Sequence, residues 1–248
     1  MAFSRTYQGE DPQRVNKWLA QSGVCSRREA EDLIARGLVA IDGEVVRDPG
    51  RKITTGQTLT LADDQAAPIS VVVHKPVGFV SAQPEPGQTP AARLLTKANR
   101  IGDGEIPPSD ASLPPLGRLD QDSRGLLLLS QDGVLAKAVI GPESILDKEY
   151  LVAVDGHVTS KKLSLLRHGL SLDGRALKPA KVDPMPDGRL RFVLREGRNR
   201  QIRRMAEAVD LRVVDLLRIR IGPLTLGDLP EGHWRALAPA ERAALIKG

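Results

Sequence analysis

Apolar residues at helical spacing predict two short helices near the N-terminus: Val15, Trp18 and Leu19 in the first, and Ala30, Leu33 and Ile34 in the second. Gly23 and Gly37 end the two patterns. Ser26 and Glu29 have the spacing of a capping box, which marks the start of the second helix. The pattern therefore predicts a helical hairpin with one apolar seam.

Short β segments follow this hairpin. Residues 39–46 form two apolar runs around Asp42-Gly43, a pair typical of a tight hairpin turn, and Thr58 to Leu61 is a further strand candidate. We expect a compact first domain over residues 12–61. The polar connector at 62–69, which contains Asp63 and Asp64, separates it from a second domain over residues 70–248.

The second domain alternates between strand and helix patterns. Strands are predicted at Val71 to Val73, Leu116 to Leu119, Leu126 to Ser130, Tyr150 to Val154 and Arg189 to Leu194, and helices at Val134 to Ile140, Ser160 to Arg167 and Arg200 to Val209. This order is typical of an α+β fold. Residues 96–115 are rich in Pro, Gly, Asp and Ser without a period, which predicts a mobile surface loop.

Asp120 is a candidate nucleophile. It follows the apolar run Leu116 to Leu119 and stands between Arg118 and Arg124, so the pattern predicts a carboxylate at a rigid strand end with positive charge on both sides. An aspartate in this position equally often caps a hairpin turn. The segment by itself leaves both readings open.

Composition narrows the function classes. The 248 residues carry a formal net charge of +5, and the basic residues concentrate at 14–28 and 195–204, which favours a polyanionic partner such as nucleic acid. The single Cys25 excludes an internal disulfide, and no secretory signal or long apolar run indicates export or a membrane, so a cytoplasmic protein is expected. The four histidines lack metal-ligand spacing, and no phosphate-binding glycine motif occurs. We expect neither a metal nor a small-molecule cofactor.

Four segments of the second domain resemble one family in order. The run Gly117-Arg118-Leu119-Asp120, then Lys148-Glu149-Tyr150, then Gln201-Ile202-Arg203, and finally Leu216 to Leu224 are similar to motifs of RNA pseudouridine synthases of the RsuA/RluB/RluE/RluF branch, with RluF-type enzymes as the nearest subtype. The resemblance implies a catalytic domain built on a mixed, mainly antiparallel sheet flanked by helices. It also implies that Asp120 is the catalytic nucleophile.

Two further catalytic residues are implied by this resemblance. Tyr150 matches the tyrosine that lies against the target base, and strand alternation would place it with Val152 on the face above Asp120. Arg203 matches the arginine that pairs with the nucleophile and keeps it ionised. The alternatives are a tyrosine in the core and an arginine on a solvated helix face.

Residues expected to contact the substrate surround these three. The segment Asn199 to Arg204 crowds positive charge at a predicted helix start, where Asn199 can serve as the cap. Leu217 is a candidate wall of the base pocket, and Lys75 is equally a structural or an RNA-contacting residue. The full predicted set is Lys75, Arg118, Arg124, Asn199, Arg200, Gln201, Arg204 and Leu217.

The first domain resembles the S4 RNA-binding module along its whole length. The similarity runs from Arg14-Val15-Asn16-Lys17-Trp18-Leu19 through Ser26-Arg27-Arg28-Glu29-Ala30 to Val39-Ala40-Ile41-Asp42-Gly43. Because the basic residues lie outside the apolar seam, they can face an RNA backbone while Trp18 packs in the core. The expected RNA-contacting residues are Arg14, Lys17, Ser26, Arg27 and Arg28.

Together these resemblances imply an enzyme that isomerises a uridine of ribosomal RNA, with the large subunit as the first candidate. The small-subunit RNA or a tRNA is the second candidate. A ribosome-assembly factor that binds RNA without chemistry is the alternative from another class, although the joint presence of Asp120, Tyr150 and Arg203 argues against it. We expect a monomer that needs no partner besides the RNA.

Overall fold

The computed structural model describes residues 3–62, 68–109 and 111–248. Most of the predicted connector, residues 63–67, lies outside the described residues, and so does residue 110 of the predicted loop. The chain forms two compact units, one within Met1–Ile69 together with Gln131–Lys137, and one made of Ser70–Ser130 and Ala138–Gly248. The domain limits 12–61 and 70–248 stay predictions.

Within the described residues 3–62, the first unit contains two helices and six short strands. They are β1 (Ser4–Thr6), β2 (Gln13–Arg14), α1 (Val15–Gln21), α2 (Arg27–Ala35), β3 (Val39–Ile41), β4 (Glu44–Val45), β5 (Lys52–Ile53) and β6 (Thr58–Leu61). Four strands form an antiparallel sheet in the order β1-β6-β3-β4, and β2 pairs with β5.

Local signals in the first unit behave as the sequence predicts. The hydroxyl of Ser26 accepts a hydrogen bond from the backbone N–H of Glu29, and the Glu29 carboxylate accepts one from the backbone N–H of Ser26, which completes the capping box of α2. Asp42 and Gly43 both have positive φ, as the tight turn between β3 and β4 requires. Trp18 is buried in the core against Tyr7, so it is not a platform for stacking RNA bases.

The second unit is built on one large sheet. Its elements are β7 (Ser70–Lys75), β8 (Phe79–Val80), β9 (Thr89–Pro90), β10 (Arg124–Ser130), α3 (Gly133–Ile140, which begins in the first unit), β11 (Lys148–Asp155), α4 (Ser160–Arg167), β12 (Ser171–Leu172), β13 (Arg175–Ala176), β14 (Lys181–Pro184), β15 (Leu190–Leu194), α5 (Gln201–Glu207), β16 (Arg212–Ile221), β17 (Leu224–Thr225), β18 (Trp234–Ala236) and α6 (Pro239–Lys247).

Strand order in this sheet is β14-β15-β11-β16-β10-β7-β18, with β17 paired to β16. Among its described strand pairs, β10 and β16 run parallel and the rest run antiparallel. The sheet is therefore mixed and mainly antiparallel, as the family resemblance implies. Helices α4 and α5 cover one face, where Leu166, Ile202 and Met205 pack with the strand residues Val152 and Phe192.

Gly125 sits where the parallel strands β10 and β16 come closest. A Cβ at this position would lie 2.3 Å from the backbone oxygen of Arg218, and the residue has φ +112°. No side chain fits there without moving the backbone. The absence of a side chain at Gly125 thus allows the start of β10 to lie directly against the backbone of β16.

One predicted strand is wrong. Leu116 to Leu119 does not form a strand: Pro115 makes a single bridge with Leu129, and Leu116 and Leu119 are then buried individually along a loop. The apolar residues signal burial, which a loop packed on the sheet provides as well as a strand does. Asp120 therefore lies in a loop that leads into β10, not at the end of a strand.

The predicted loop at 96–115 contains no helix or strand among its described residues beyond single bridges. Its first part is fixed to β18, because the indole of Trp234 donates a hydrogen bond to the carbonyl of Thr96 and the backbone N–H of Ile101 donates one to the carbonyl of Trp234. In the described parts of the chain, we find no helix with the length and apolar character needed to cross a membrane.

Candidate active site

The loop that carries Asp120 is held by buried hydrogen bonds on both sides. The Ser81 hydroxyl donates to the carbonyl of Leu119 at 2.7 Å and accepts from the N–H of the same residue at 2.9 Å. The N–H of Ser123 then donates to the carbonyl of Asp120, which closes a tight turn. These bonds fix the backbone before and after Asp120, so its position does not depend on its own side chain.

The Asp120 carboxylate is partly exposed and has a cation beside it. Its side chain retains 35% of its accessible surface, and the guanidinium of Arg200 lies 3.7 Å from its oxygen. The same guanidinium binds both oxygens of Asp122, at 3.1 and 2.8 Å. Arg200 therefore stands between two carboxylates, and its tighter contacts go to Asp122.

Asp122 links Asp120 to helix α5. Burial by itself would raise the pKa of Asp122, but the hydrogen bond from Arg200 and the charges of Arg203 and Arg200 outweigh this effect and hold the pKa below its usual value. Asp122 thus stays ionised and keeps both arginines in place. Asp122 is not among the residues predicted from the sequence, although it stands two positions after the candidate nucleophile Asp120.

Arg203 does not form the predicted ion pair with Asp120. Its guanidinium donates to the backbone carbonyl of Asp122 at 2.7 Å and to the hydroxyl of Ser123 at 3.2 Å, and lies 3.3 Å from the Asp122 carboxylate. Nor does it point away from the core, since only 8% of the residue is exposed. It supports the turn that follows Asp120, and within the described residues the cation paired with Asp120 is Arg200.

Arg200 rather than Asn199 precedes helix α5. Arg200 has φ 49° in the left-handed region, and no side chain caps the helix. The prediction of Asn199 as the cap is therefore wrong, because the chain turns one residue later than the pattern indicates. The turn is held instead by Gln201, whose side-chain oxygen accepts a hydrogen bond from the N–H of Arg198.

An open cleft of about 1060 Å³ lies over the Asp120 loop. Seven of the predicted site residues line it: Arg118, Asp120, Tyr150, Asn199, Arg200, Gln201 and Arg203. Tyr150 comes from β11, and its register partner on the neighbouring strand β16 is Arg218. The cleft therefore joins the loop, the central strands and the start of α5, which are far apart in the sequence.

Four predicted substrate contacts lie outside the lining of the cleft. The Arg124 guanidinium is held by both oxygens of Asp215, and that of Arg204 by both oxygens of Asp173. Lys75 is fully buried and donates to the carbonyls of Pro76 and Phe79, so it supports the structure. Burial lowers its pKa to about 8, against the opposing effect of Asp120.

The wall of the cleft on β16 is Leu216, not Leu217. Successive residues of a strand face opposite sides of a sheet, so a shift of one position moves the side chain to the other face. Leu216 pairs with Val152 and is 6% exposed, whereas Leu217 pairs with Leu151. An uninterrupted apolar run does not show which leucine faces which side, which is why the sequence pattern led to Leu217 in place of Leu216.

Five cations that line the cleft are not among the predicted site residues, and two of them lie on the central strands β11 and β16. Lys148 precedes Tyr150 by two positions on β11, and Arg218 lies two positions beyond Leu216 on β16. For Lys148, the spacing of two from the predicted Tyr150 was the available signal. Burial, followed by the nearby charge of Arg218, lowers the pKa of Lys148.

In the first unit, the predicted RNA contacts lie at the start of the two helices. Arg14, Lys17, Arg27 and Arg28 are exposed, as expected for groups that meet phosphate. Ser26 is half-buried, and its hydroxyl is engaged in the capping box. Ser26 therefore contributes to the structure by capping the start of helix α2.

Comparisons with known proteins agree with this architecture. The S4 domain family matches residues 13–59, and the RNA pseudouridylate synthase family matches residues 69–208. The dual-specificity RNA pseudouridine synthase RluF of Salmonella typhi is 33% identical over 94% of the chain and 78% of its own length. The ribosomal large subunit pseudouridine synthase B of Bacillus subtilis is 34% identical over 92% of the chain and 93% of its own length.

A solved structure of a pseudouridylate synthase has the same fold. It superimposes with a TM-score of 0.66 at 26% identity, over 94% of this chain and 99% of that one. The α+β architecture expected from the sequence is thereby confirmed.

Proposed function

The chain belongs to the RNA pseudouridylate synthase family, and from this premise we propose that it isomerises a uridine of large-subunit ribosomal RNA with Asp120 as the nucleophile. The observation that carries this proposal is the placement of a partly exposed Asp120 in the cleft with the guanidinium of Arg200 3.7 Å away. The fixed guanidinium places a positive charge beside this carboxylate, and a positioned carboxylate can act as a nucleophile.

The reaction requires the base to leave its helical stack. Extruding a nucleotide costs a few kcal/mol, which contacts to the phosphates and to the base must offset. Arg118 is exposed at the rim of the cleft and, among the described residues, has no side-chain partner, so it is available to a phosphate. Arg200 is held by Asp122 beside Asp120, so its positive charge is fixed within the cleft.

Inside the cleft, Tyr150 and Leu216 offer apolar surface to the extruded pyrimidine. They lie on the adjacent strands β11 and β16, whose pairing fixes their separation. A planar base held against these rigid strand residues is presented to Asp120 in one orientation. This positioning is the contribution we assign to Tyr150.

Large-subunit RNA is favoured by the Bacillus subtilis relative, whose name states that subunit. The Salmonella typhi relative is named dual-specificity, so a second RNA substrate is the runner-up. The S4 domain provides a separate basic surface through Arg14, Lys17, Arg27 and Arg28, which adds affinity that does not depend on the base sequence.

The test is a map of pseudouridine in ribosomal RNA transcripts incubated with the purified protein. Carbodiimide adducts of pseudouridine stop reverse transcription, so a new stop locates the product. We expect one dominant stop in the large-subunit transcript and none with Asp120→Ala. Stops confined to small-subunit RNA or tRNA would refute the substrate assignment. RNA binding without any stop would favour a non-catalytic assembly factor.

A further inference from the structure

Arg218 is a buried cation that the proposed chemistry has not yet used. It is 1% exposed, and its Nε donates to the carbonyl of Leu126 while one terminal nitrogen donates to the carbonyl of Arg118. The other terminal nitrogen is buried without a hydrogen-bond partner. Unsatisfied buried donors are rare in proteins, so this one calls for a functional reason.

Arg218 has no carboxylate in ion-pair contact within the described part of the chain; both of its hydrogen bonds go to neutral carbonyls. By contrast, Arg220 on the same strand is paired with Asp147 and Glu149. A buried charge without a counter-ion is costly, and this cost is retained in proteins mainly where the charge acts on a ligand.

The position of Arg218 is at the floor of the cleft. It lines the cleft, and its register partner Tyr150 is a neighbour on the adjacent strand. Lys148 lines the same floor, and the charge of Arg218 contributes to lowering its pKa, so the two cations act on each other. The floor therefore carries two positive charges beneath the place where the base is expected.

We propose that the buried charge of Arg218, assisted by Lys148, stabilises the negative charge that the pyrimidine carries while it is detached from its ribose. This inference rests on the proposed function, since it assigns an electrostatic role within that reaction. The charge acts across the floor of the cleft and does not require a direct hydrogen bond. Arg218 itself is buried, and a fixed charge in a buried position acts more strongly than the same charge in solution.

The electron count defines what is stabilised. When the bond between C1′ and N1 breaks, its electron pair leaves with the pyrimidine, and the charge spreads over N1, O2 and O4. The Asp120 carboxylate forms a bond to the electron-poor sugar carbon C1′. When C5 bonds to C1′, the ring returns an electron pair and the carboxylate departs. The C5 proton is then lost and N1 gains one, so the product is an isomer and no co-reactant is consumed.

Substituting fluorine at C5 of the target uridine provides a test, because fluorine withdraws electrons and stabilises the pyrimidine anion without help from the protein. The measurement is the single-turnover loss of the N-linked nucleoside at saturating enzyme. Removing one preorganised charge or donor costs roughly 100-fold in rate. We therefore expect Arg218→Lys, which moves the charge, to slow uridine about 100-fold and 5-fluorouridine only about ten-fold.

Arg220→Lys is the matched control, since it changes an arginine of the same strand that has its own acidic partners. Arg220→Lys should leave the ratio of the 5-fluorouridine rate to the uridine rate unchanged. Lys148→Met alters a half-buried side chain and replaces Arg218→Lys if that variant does not fold. Like Arg218→Lys, it should raise the rate with 5-fluorouridine relative to the rate with uridine. Equal slowing of both substrates by these variants would overturn the electrostatic role and leave only support of the Asp120 loop. Failure of the unaltered protein to convert uridine would instead refute the proposed function.

Discussion

The guanidinium of Arg203 donates a 2.7 Å hydrogen bond to the backbone carbonyl of Asp122. Through this bond, Arg203 of helix α5 holds the backbone of the turn that follows Asp120. The cation that faces the Asp120 carboxylate is supplied from just before the helix, by Arg200. One short segment therefore supports the Asp120 loop through Arg203 and places a positive charge beside the Asp120 carboxylate through Arg200.

Arg203→Met should lower turnover and stability together, because it leaves the carbonyl of Asp122 and the hydroxyl of Ser123 without their donor. A lost buried partner costs about 1–3 kcal/mol of the free energy of unfolding. The matched variant is Arg204→Met, in which only a solvent-screened pair with the exposed Asp173 is lost, so its effect on stability should be the smaller of the two. Urea unfolding and single-turnover rates measure both effects, and equal losses in the two variants would refute the assignment.

Leu216→Ala should reduce turnover more than Leu217→Ala, although the residues are neighbours of the same type. Leu216 lines the cleft and Leu217 does not. Truncating a buried leucine costs about 2–5 kcal/mol of stability, so rates are compared at a temperature where both variants are fully folded. A larger loss of turnover with Leu217→Ala would mean that the opposite face of β16 meets the base.

The pKa of about 8 for Lys75 predicts a pH-dependent stability. Below that value both the folded and the unfolded chain bind the proton. Between about 8 and the ordinary 10.5 the unfolded chain still binds it while the folded chain has released it, so stability rises with pH. Relative to Lys75→Met, the protein should gain up to about 3 kcal/mol from neutral pH to pH 10.5.

The exposed Lys97→Met is measured alongside as the control for removing a lysine from the surface. Denaturant unfolding at several pH values gives the comparison. A stability difference between the protein and Lys75→Met that stays flat across this range would show that the Lys75 amine titrates normally.

Replacing Arg27 and Arg28 together with Gln should weaken RNA binding and reduce its dependence on salt. Each lost phosphate contact lowers the slope of log affinity against log salt by about one. The first unit also carries the exposed Arg5 on β1, and Arg5→Gln is the control that should keep the slope. If the double variant keeps the slope of the unaltered protein, the two arginines are only a solvated helix face.

Local signals predicted most of the elements. The capping box at Ser26, the turn at Asp42-Gly43 and the helix at Ser160–Arg167 all occur where the sequence places them. Each depends on neighbouring residues alone, so it can be read from the chain. Asp120, Tyr150 and Arg200 were predicted as site residues from the motifs that contain them, and all three line one cleft.

The errors arise where a distant segment decides the outcome. Leu116 and Leu119 are buried by packing, which an apolar run does not distinguish from a strand. The choice between Leu216 and Leu217 depends on register with β11. Arg124 and Arg204 are occupied by Asp215 and Asp173, 91 and 31 positions away, and no local pattern reveals such partners.

The central claim is that Asp120 performs the chemistry, and it is tested by the turnover of Asp120→Asn on a transcript that contains the target uridine. Asp120→Ala accompanies it, because an asparagine can revert to aspartate by deamidation, and Asp187→Asn replaces an exposed turn aspartate as the control. We expect no pseudouridine from either Asp120 variant, full activity from the control, and RNA affinity within about two-fold for all three, since one charge is small beside the basic surface. Pseudouridine formed by Asp120→Ala would contradict the account.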